Sequence, residues 1–227
     1  MKRVICGLVA AIFAMPFFSC SSDNASPSEE AFFNINAGNQ WVYKRYNYDD
    51  DIPGVYTFSG IIDSVKVLDV VTLDGLEFSR VKHSLTNEND ANFHNIIYEY
   101  LRINANGELT GIRGEESPEA TEAEFDITET STAIYHPGNV DNYQYTYDAP
   151  IGTHLFYSAP QTSLTIDGNP FTVVPYIHQL TPISSIDGPV RKVEMDYEAQ
   201  TGLVRTQCIA VFSGQGYEDR LVSYDLN

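Results

Sequence analysis

The chain is poor in cysteine, and this limits how the fold can be stabilised. Of its three cysteines, Cys6 and Cys20 lie in or at the end of an apolar leader, so Cys208 is the only cysteine of the body. An internal disulfide is therefore excluded, and the fold must rest on a hydrophobic core, for which a body of this length is sufficient. We interpret Cys208, which lies within a strand-like run, as a small core residue.

Basic residues are also scarce. The chain has 13 lysines and arginines against 31 aspartates and glutamates. Removal of residues 1–19, which include Lys2 and Arg3, leaves 11 basic and 31 acidic residues and a formal charge of −20. Because a phosphate backbone requires a basic footprint, nucleic acid is excluded as a partner. The same charge disfavours adsorption of the body to anionic lipid head groups and so supports a lipid tether, although the preferred interpretation is that it keeps an exported protein soluble.

The sequence lacks the motifs of common catalytic, cofactor and metal sites. It has no Gly-x-Ser-x-Gly elbow, no Gly-rich phosphate loop and no Cys-x-x-Cys pair. No two histidines have the helical spacing of zinc ligands, and close carboxylate pairs occur by chance in so acidic a chain. We therefore predict no catalytic, cofactor or metal site and no enzymatic activity. The histidines, each expected to be a surface or hydrogen-bonded structural residue, are His83, His94, His136, His154 and His178.

Helical periodicity is absent outside the leader, and the body repeats a different pattern. Short runs of β-branched and aromatic residues alternate with Gly, Asn, Asp or Pro clusters, which indicates antiparallel strands. Hairpin turns are predicted at Asp74-Gly75, Asn106-Gly107 and Asp167-Gly168, because these pairs favour type I′ turns. The predicted strands span residues 41–48, 56–72, 76–85, 96–103, 108–113, 125–135, 143–147, 153–157, 162–166, 171–177, 190–197, 203–212 and 220–226.

These strands predict an all-β fold with a single antiparallel domain over residues 36–227. About a dozen strands in one domain must protect their edges, and a closed or strongly curled sheet does so. We therefore expect a curved sheet that forms a half-barrel or a barrel. The acidic stretch at residues 114–124 is predicted to be an excursion within this domain.

Long hydrophobic runs are limited to the leader. The run from Val4 to Phe18 is shorter than the roughly 20 residues that span a bilayer. Lys2 and Arg3 precede it, and Ser19-Cys20 closes it, as in a signal peptide with a lipid attachment site. This ending resembles the lipobox of bacterial lipoproteins. The resemblance implies that residues 1–19 are removed and that Cys20 carries the lipid; an ordinary secretory signal that leaves a soluble protein is the alternative.

The residues after Cys20 predict a flexible tether over residues 20–35. Ser21 and Asp23 resemble the export signal of Bacteroidota surface lipoproteins, which implies an outer-membrane location, at the cell surface rather than on the periplasmic face. In the body, residues 38–43 and 197–205 resemble segments of uncharacterised Bacteroidota-type lipoproteins. That resemblance implies a curved or half-barrel sheet and implies no activity.

Aromatic residues are abundant, with 15 tyrosines and 12 phenylalanines. Tyr143, Tyr145 and Tyr147 share one face of a predicted strand, as do Tyr46 and Tyr48 on another. Such rows suit cross-strand packing, and they equally suit contact with sugar rings or a protein.

Together these features predict a non-enzymatic lipoprotein that binds a glycan, a protein or another envelope component. The alternative is a carrier or chaperone of an apolar ligand inside the curled sheet, which requires an empty apolar cavity of a few hundred Å³. A hydrolase is the third option, and it requires a cleft where at least two acids or histidines converge.

The substitution Cys20→Ala tests the predicted tether. The variant protein is expected to fold and to leave the membrane fraction, because no acyl chain then holds the acidic body to lipid. Fractionation of the host cells, with immunodetection of the protein in washed membranes, measures this. The unchanged chain in the same host is the control, and a variant that stays in washed membranes contradicts the tether.

Overall fold

The computed structural model describes residues 32–49, 55–113, 133–138, 140, 142–184, 190–209 and 215–227, all within the compact unit Ala31–Asn227. The described residues contain thirteen strands and no α-helix, and hence no apolar helix long enough to cross a bilayer. The strands are β1 Gln40–Asp49, β2 Tyr56–Leu73, β3 Leu76–Asn87, β4 His94–Ile103, β5 Leu109–Arg113, β6 Ala133–His136, β7 Gln144–Ala149, β8 Gly152–Ser158, β9 Thr162–Ile166, β10 Asn169–Pro182, β11 Arg191–Glu198, β12 Gly202–Ile209 and β13 Gln215–Asp225.

All thirteen strands belong to one antiparallel sheet. Its order is β6-β5-β4-β3-β2-β1-β13-β12-β11-β10-β8-β7, and β9 pairs with β10 beside this path. The path ends at β6 and β7, so the sheet is curved and unclosed. The prediction of a single all-β antiparallel sheet is confirmed, and of its two predicted forms the sheet adopts the open one.

Most predicted strands coincide with observed ones to within a few residues. The largest difference is in β10, which covers Asn169–Pro182 where residues 171–177 were predicted. This strand is long because its first half pairs with β9 and its second half with β8. Residues 1–31, including the predicted signal peptide and Cys20, and the stretch 114–132 lie outside the described residues.

Two of the three predicted hairpin turns have the expected type I′ geometry, and the third does not. Asp74 and Gly75 have φ values of 48° and 73°, and Asp167 and Gly168 have values of 48° and 87°, as type I′ turns require. Between β4 and β5, however, only Gly107 has a positive φ. There Asn104 Oδ1 accepts hydrogen bonds from the amides of Asn106 and Glu108, which produces a longer loop than the predicted two-residue turn.

A segment at residues 32–39 closes one end of the curled sheet. Its Gly38 amide donates to the Val67 carbonyl on β2, and its Ile35 carbonyl accepts from Ser79 Oγ on β3. Phe32 reaches across to the turn between β11 and β12, where its carbonyl accepts the Gln200 amide. Phe33 is 4% exposed. The predicted tether boundary at residue 36 therefore lies inside a segment that packs on the sheet.

His136 on the edge strand β6 contacts β10 across the open side of the sheet. Its Nδ1 accepts the Gly138 amide at 3.0 Å, so the proton of the neutral ring lies on Nε2, which donates to the Val174 carbonyl at 3.1 Å. The side chain is fully buried, and burial lowers its pKa to about 4. The rings packed around it are those of Phe32, Phe33, Tyr176 and Tyr197.

This histidine predicts a specific loss of stability in acid. Its pKa is lower in the folded chain than in the unfolded chain, so its contribution is complete above about pH 6.5 and falls as the pH drops towards 4. Between pH 7.5 and pH 5 the folded chain should lose about 2 kcal/mol through this group. Urea denaturation at the two pH values measures the loss.

The comparison with His136→Gln isolates the contribution of this ring, because other groups titrate equally in both proteins. The variant is expected to be less stable at pH 7.5 and to lose about 2 kcal/mol less than the unchanged chain between the two pH values. The control is His94→Gln, whose side chain is exposed at the start of β4 and should leave the loss unchanged. An identical acid loss in the His136 variant contradicts the assignment.

Candidate functional site

The concave face of the sheet contains an apolar cavity of about 110 Å³. The register of β1 to β4 places Trp41, Val65 and Val81 on this face, with Leu203 opposite on β12. Ile35 from the 32–39 segment contributes to its lining at the closed end. Trp41 is the only tryptophan of the chain, and its Nε1 donates to the Thr201 carbonyl at 2.7 Å. These contacts fix the walls while leaving the space between them unfilled.

Beyond this cavity, towards the other ends of the same strands, the concave face widens into a mouth of about 400 Å³. The cavity and the mouth share several residues, including Tyr43, His83 and Tyr197, so they form one continuous pocket. The walls change along it from aliphatic near Val67 to charged and aromatic near Asp63 and Tyr217. The pocket is therefore amphiphilic, with a small apolar inner part.

A charged cluster of three side chains lies in the mouth. His83 Nδ1 is 2.8 Å from Asp63 Oδ2, and His83 Nε2 is 3.3 Å from Glu99 Oε2. Burial alone would lower the pKa of His83, but its contacts with Asp63 and Glu99 outweigh burial and raise it to about 9. The imidazole is therefore a cation at neutral pH, and each ring nitrogen faces a carboxylate.

A second ion pair lies on the other wall of the mouth. Arg45 on β1 donates from Nε and Nη2 to the two oxygens of Asp219 on β13, each at 2.8 Å. The Arg45 guanidinium lies 4.2 Å from the centre of the Tyr217 ring, in a cation–π contact. Beside it the thiol of Cys208 is partly buried, and burial raises its pKa, which keeps it protonated. This environment agrees with a packing role and opposes a nucleophilic one.

The arrangement suits binding better than acid–base chemistry. A general base needs a free lone pair, and His83 is protonated with both nitrogens directed at carboxylates. In the described part of the chain, no three His, Cys, Asp or Glu side chains are arranged to hold a metal ion. The carboxylates of the adjacent residues Glu218 and Asp219 bind different partners: Asp219 binds Arg45, whereas Glu218 binds Arg220 and Arg205.

The row predicted from Tyr143, Tyr145 and Tyr147 belongs to a larger group of rings on β7, β8 and β10. Tyr147 stacks on His154 with centroids 4.6 Å apart, and His178 stacks on Phe156 at 4.1 Å. His154 Nδ1 and His178 Nε2 are 2.9 Å apart, so one ring donates to the other. Tyr145 and Tyr147 remain 53% and 40% exposed. We call Tyr145, Tyr147, His154, Phe156 and His178 the aromatic row.

The aromatic row is connected to the mouth only indirectly, through Tyr176. Tyr176 on β10 pairs in register with Met195 on β11, which lines the mouth, and the Tyr176 ring contacts Phe156. The other predicted pair, Tyr46 and Tyr48, instead packs against Phe58 and Tyr56 on β2. Cross-strand packing therefore accounts for Tyr46 and Tyr48, and only partly for the aromatic row.

Three further sets of residues remain to be placed: Cys20, the polar loop at residues 87–92 and the histidines. Cys20, the predicted lipid attachment residue, lies outside the described residues. In the loop at residues 87–92, side-chain oxygens serve the turn: Asn87 Oδ1 accepts the Asn89 amide and Asp90 Oδ1 accepts the Asn92 amide. His136 is buried and hydrogen-bonded, His94 is exposed, and His83, His154 and His178 have partners in the mouth and in the aromatic row.

Sequence reasoning did not identify the mouth. Asp63, His83 and Glu99 lie on three consecutive strands, and the alternation within each strand places each of them on the face that carries its apolar neighbours. That pattern, a charged residue among inward-facing apolar residues, was the available signal. It does not show where the pocket is, because the opposite wall comes from β11 to β13, far away in sequence.

Comparisons with known proteins give similarity of fold. No protein-family model and no curated protein matches the chain. Among solved structures, it is similar to a "putative lipoprotein" from Parabacteroides distasonis, with 17% identity, a TM-score of 0.46, and coverage of 86% of this chain and 99% of that one. It is also similar to a "putative exported protein" with a YmcC-like fold from Bacteroides fragilis, with 12% identity, a TM-score of 0.48 and the same coverage.

Proposed function

We propose that the protein is an exported, lipid-anchored and non-enzymatic binding protein whose ligand occupies the pocket inside the curled sheet. The observation that carries this proposal is the continuous pocket, in which a mainly apolar cavity opens into a charged and tyrosine-lined mouth. Ligand pockets in proteins combine apolar walls with a few fixed polar groups in this way, and the mouth alone has the usual size of about 300–1,000 Å³.

The size of the inner cavity restricts the ligand. An engineered cavity of roughly 150 Å³ holds a benzene molecule. The cavity of about 110 Å³ therefore accepts an apolar group of about four to six carbons, which is smaller than a long acyl chain. The carrier of a large apolar ligand, which requires an apolar space of a few hundred Å³, fits less well than a receptor for a small amphiphile.

The polar groups of the mouth support binding without catalysis. Asp63 and Glu99 both face the His83 imidazolium, and Asp219 holds Arg45 in a bidentate pair. Each potential acid or base is thus committed to an ion pair, which favours fixed walls over proton transfer. The hydrolase option requires at least two converging acids or histidines, and the mouth has them, but the protonated His83 lies between the two carboxylates.

The location follows from the leader. A lipid on Cys20 places the pocket outside the cytoplasmic membrane, and the residues after it favour the outer membrane with the body facing the medium. A pocket in this position is exposed to small molecules in the medium. The anchor and the orientation are part of the proposal, and lipid labelling and surface proteolysis test them.

Filling the cavity tests the proposal. In Val81→Phe a phenyl ring enters the cavity, so the free energy of unfolding should change by less than about 1 kcal/mol, because the space is already present. Val173→Phe is the matched control: Val173 is fully buried and does not line the pocket, so overpacking should cost about 1–3 kcal/mol. Equal losses in the two variants contradict an empty cavity.

The same variant tests ligand binding. Pentan-1-ol should change the fluorescence of Trp41 in the unchanged chain and in Val70→Phe, a control on the exposed surface, but not in Val81→Phe. If pentan-1-ol does not change the fluorescence of Trp41 in the unchanged chain, the result contradicts the proposed pocket.

A second candidate function has its own supporting observation, the exposed tyrosines of the aromatic row. Their flat faces and hydroxyl groups suit stacking with the rings of a neutral polysaccharide, which the acidic body does not repel. A glycan bound there would contact residues that do not line the pocket, so the two functions are compatible.

Alanine at both Tyr145 and Tyr147 tests this candidate. The double variant should fold, because both side chains are partly exposed on an edge strand, and its retardation by dextran or mannan in affinity electrophoresis should fall by about tenfold, as expected for two lost ring contacts. Tyr224→Ala, which removes a 50% exposed tyrosine from β13, is the matched control. Equal retardation of all three proteins rejects the glycan surface.

A further inference from the structure

The charges of the mouth restrict the ligand further than its size does. Three carboxylates line the mouth, those of Asp63, Glu99 and Asp219, against two cations, Arg45 and His83. Both cations are occupied: Arg45 binds Asp219 through two hydrogen bonds, and His83 lies between Asp63 and Glu99. An anionic ligand would have to displace a carboxylate that is already in place, whereas a cationic ligand meets an excess of negative charge.

Hydrogen-bonding capacity points in the same direction. An ionised carboxylate only accepts, with about four lone-pair sites, and Asp63 uses Oδ2 for His83. Its Oδ1 is buried and has no hydrogen-bond partner among the described residues. A buried acceptor without a partner is costly, and a donor carried by a ligand removes that cost.

The aromatic lining adds a second, independent reason. The rings of Tyr43, Tyr135, Tyr197 and Tyr217 all border the mouth. Tyrosine faces attract cations through their quadrupole, and aromatic cages bind ammonium groups in this way. The Arg45 guanidinium, 4.2 Å from the centre of the Tyr217 ring, already makes this contact within the protein.

We propose that the pocket binds a small primary amine, with its ammonium group in the mouth beside Asp63 and the tyrosines and its short apolar group in the cavity beside Trp41. This inference rests on the proposed function, because it assigns a ligand class to the same pocket. The apolar group has about four to six carbons, as the cavity size requires. A free alkylamine and the N-terminal residue of a peptide with an aliphatic side chain both carry this chemistry.

A matched ligand series tests the inference on the full folded chain at pH 7. Pentylamine, pentan-1-ol and pentanoate share one apolar group and differ only in the charge of the head, and Trp41 fluorescence reports their dissociation constants. Pentylamine, which is protonated at this pH, should bind at least about tenfold more tightly than pentanoate, with pentan-1-ol between them. L-leucinamide distinguishes the sources, since tighter binding than pentylamine identifies a peptide N-terminus and weaker binding a simple amine.

Two variants separate charge from shape. Asp63→Asn keeps an oxygen for His83 but removes the negative charge, so the preference for pentylamine over pentan-1-ol should largely disappear while pentan-1-ol still binds. Asp69→Asn is the matched control, because Asp69 pairs with Arg80 and does not line the pocket, and it should keep the preference.

The possible results separate this inference from the proposed function. Tightest binding of pentanoate, equal binding of all three compounds, or an unchanged preference in Asp63→Asn overturns the amine assignment while the pocket stands. Failure of every compound, including pentan-1-ol, to affect Trp41 overturns the proposed function itself.

Discussion

The contact between His136 on β6 and the Val174 carbonyl on β10 constrains the shape of the whole sheet. In the order of the sheet these strands are separated by eight others, so their contact requires the sheet to curl until its two sides meet. The imidazole satisfies both of its nitrogens there, with the Gly138 amide on one and the carbonyl on the other. A neutral ring therefore fits this position, and its burial among aromatic rings explains why a charged ring does not.

The hollow inside the sheet follows from this curl. The concave face is too strongly curved for its side chains to remain exposed, yet the side chains around the cavity, which include three valines and three leucines beside Trp41, do not meet at the centre. The 32–39 segment covers one end, and no comparable segment among the described residues covers the other. The result is a pocket with a mainly apolar inner part and an open mouth, in which ion pairs between adjacent strands fix the charged side chains.

Electrostatics then distinguishes the two faces of the sheet. On the convex side, Arg220 and Arg205 bind the buried Glu218, and Arg220 lies over the rings of Tyr46 and Tyr56, so that charges and rings compensate each other there. On the concave side the carboxylates exceed the cations within a space of limited size, where opposite charges interact more strongly than in bulk water. In the proposed function, this excess of carboxylates selects for a cationic ligand.

Much of the fold could be predicted because its signals are local. The Asp74-Gly75 and Asp167-Gly168 turns depend on the conformational preferences of two residues, and the strands beside them on alternation. The predicted type I′ turn at Asn106-Gly107 was wrong, because the side-chain oxygen of Asn104 accepts hydrogen bonds from two backbone amides of the loop. A rule based on two residues does not include this interaction. The pocket could not be predicted, because Asp63 and Asp219 meet only through the order of strands around the sheet. The same holds for the contact of His154 with His178, which lie on different strands.

The central claim is that the curled sheet encloses an accessible apolar hollow beside Trp41, and xenon tests it most directly. Xenon enters dry apolar cavities and shifts the NMR signals of the methyl groups around it. In a leucine-labelled sample, the methyl signals of Leu101, Leu109 and Leu203, which line the cavity, should shift under xenon pressure. Those of Leu73, which is buried in a separate cluster, should not. Equal small shifts at all four leucines, or none at the three cavity leucines, would contradict the account.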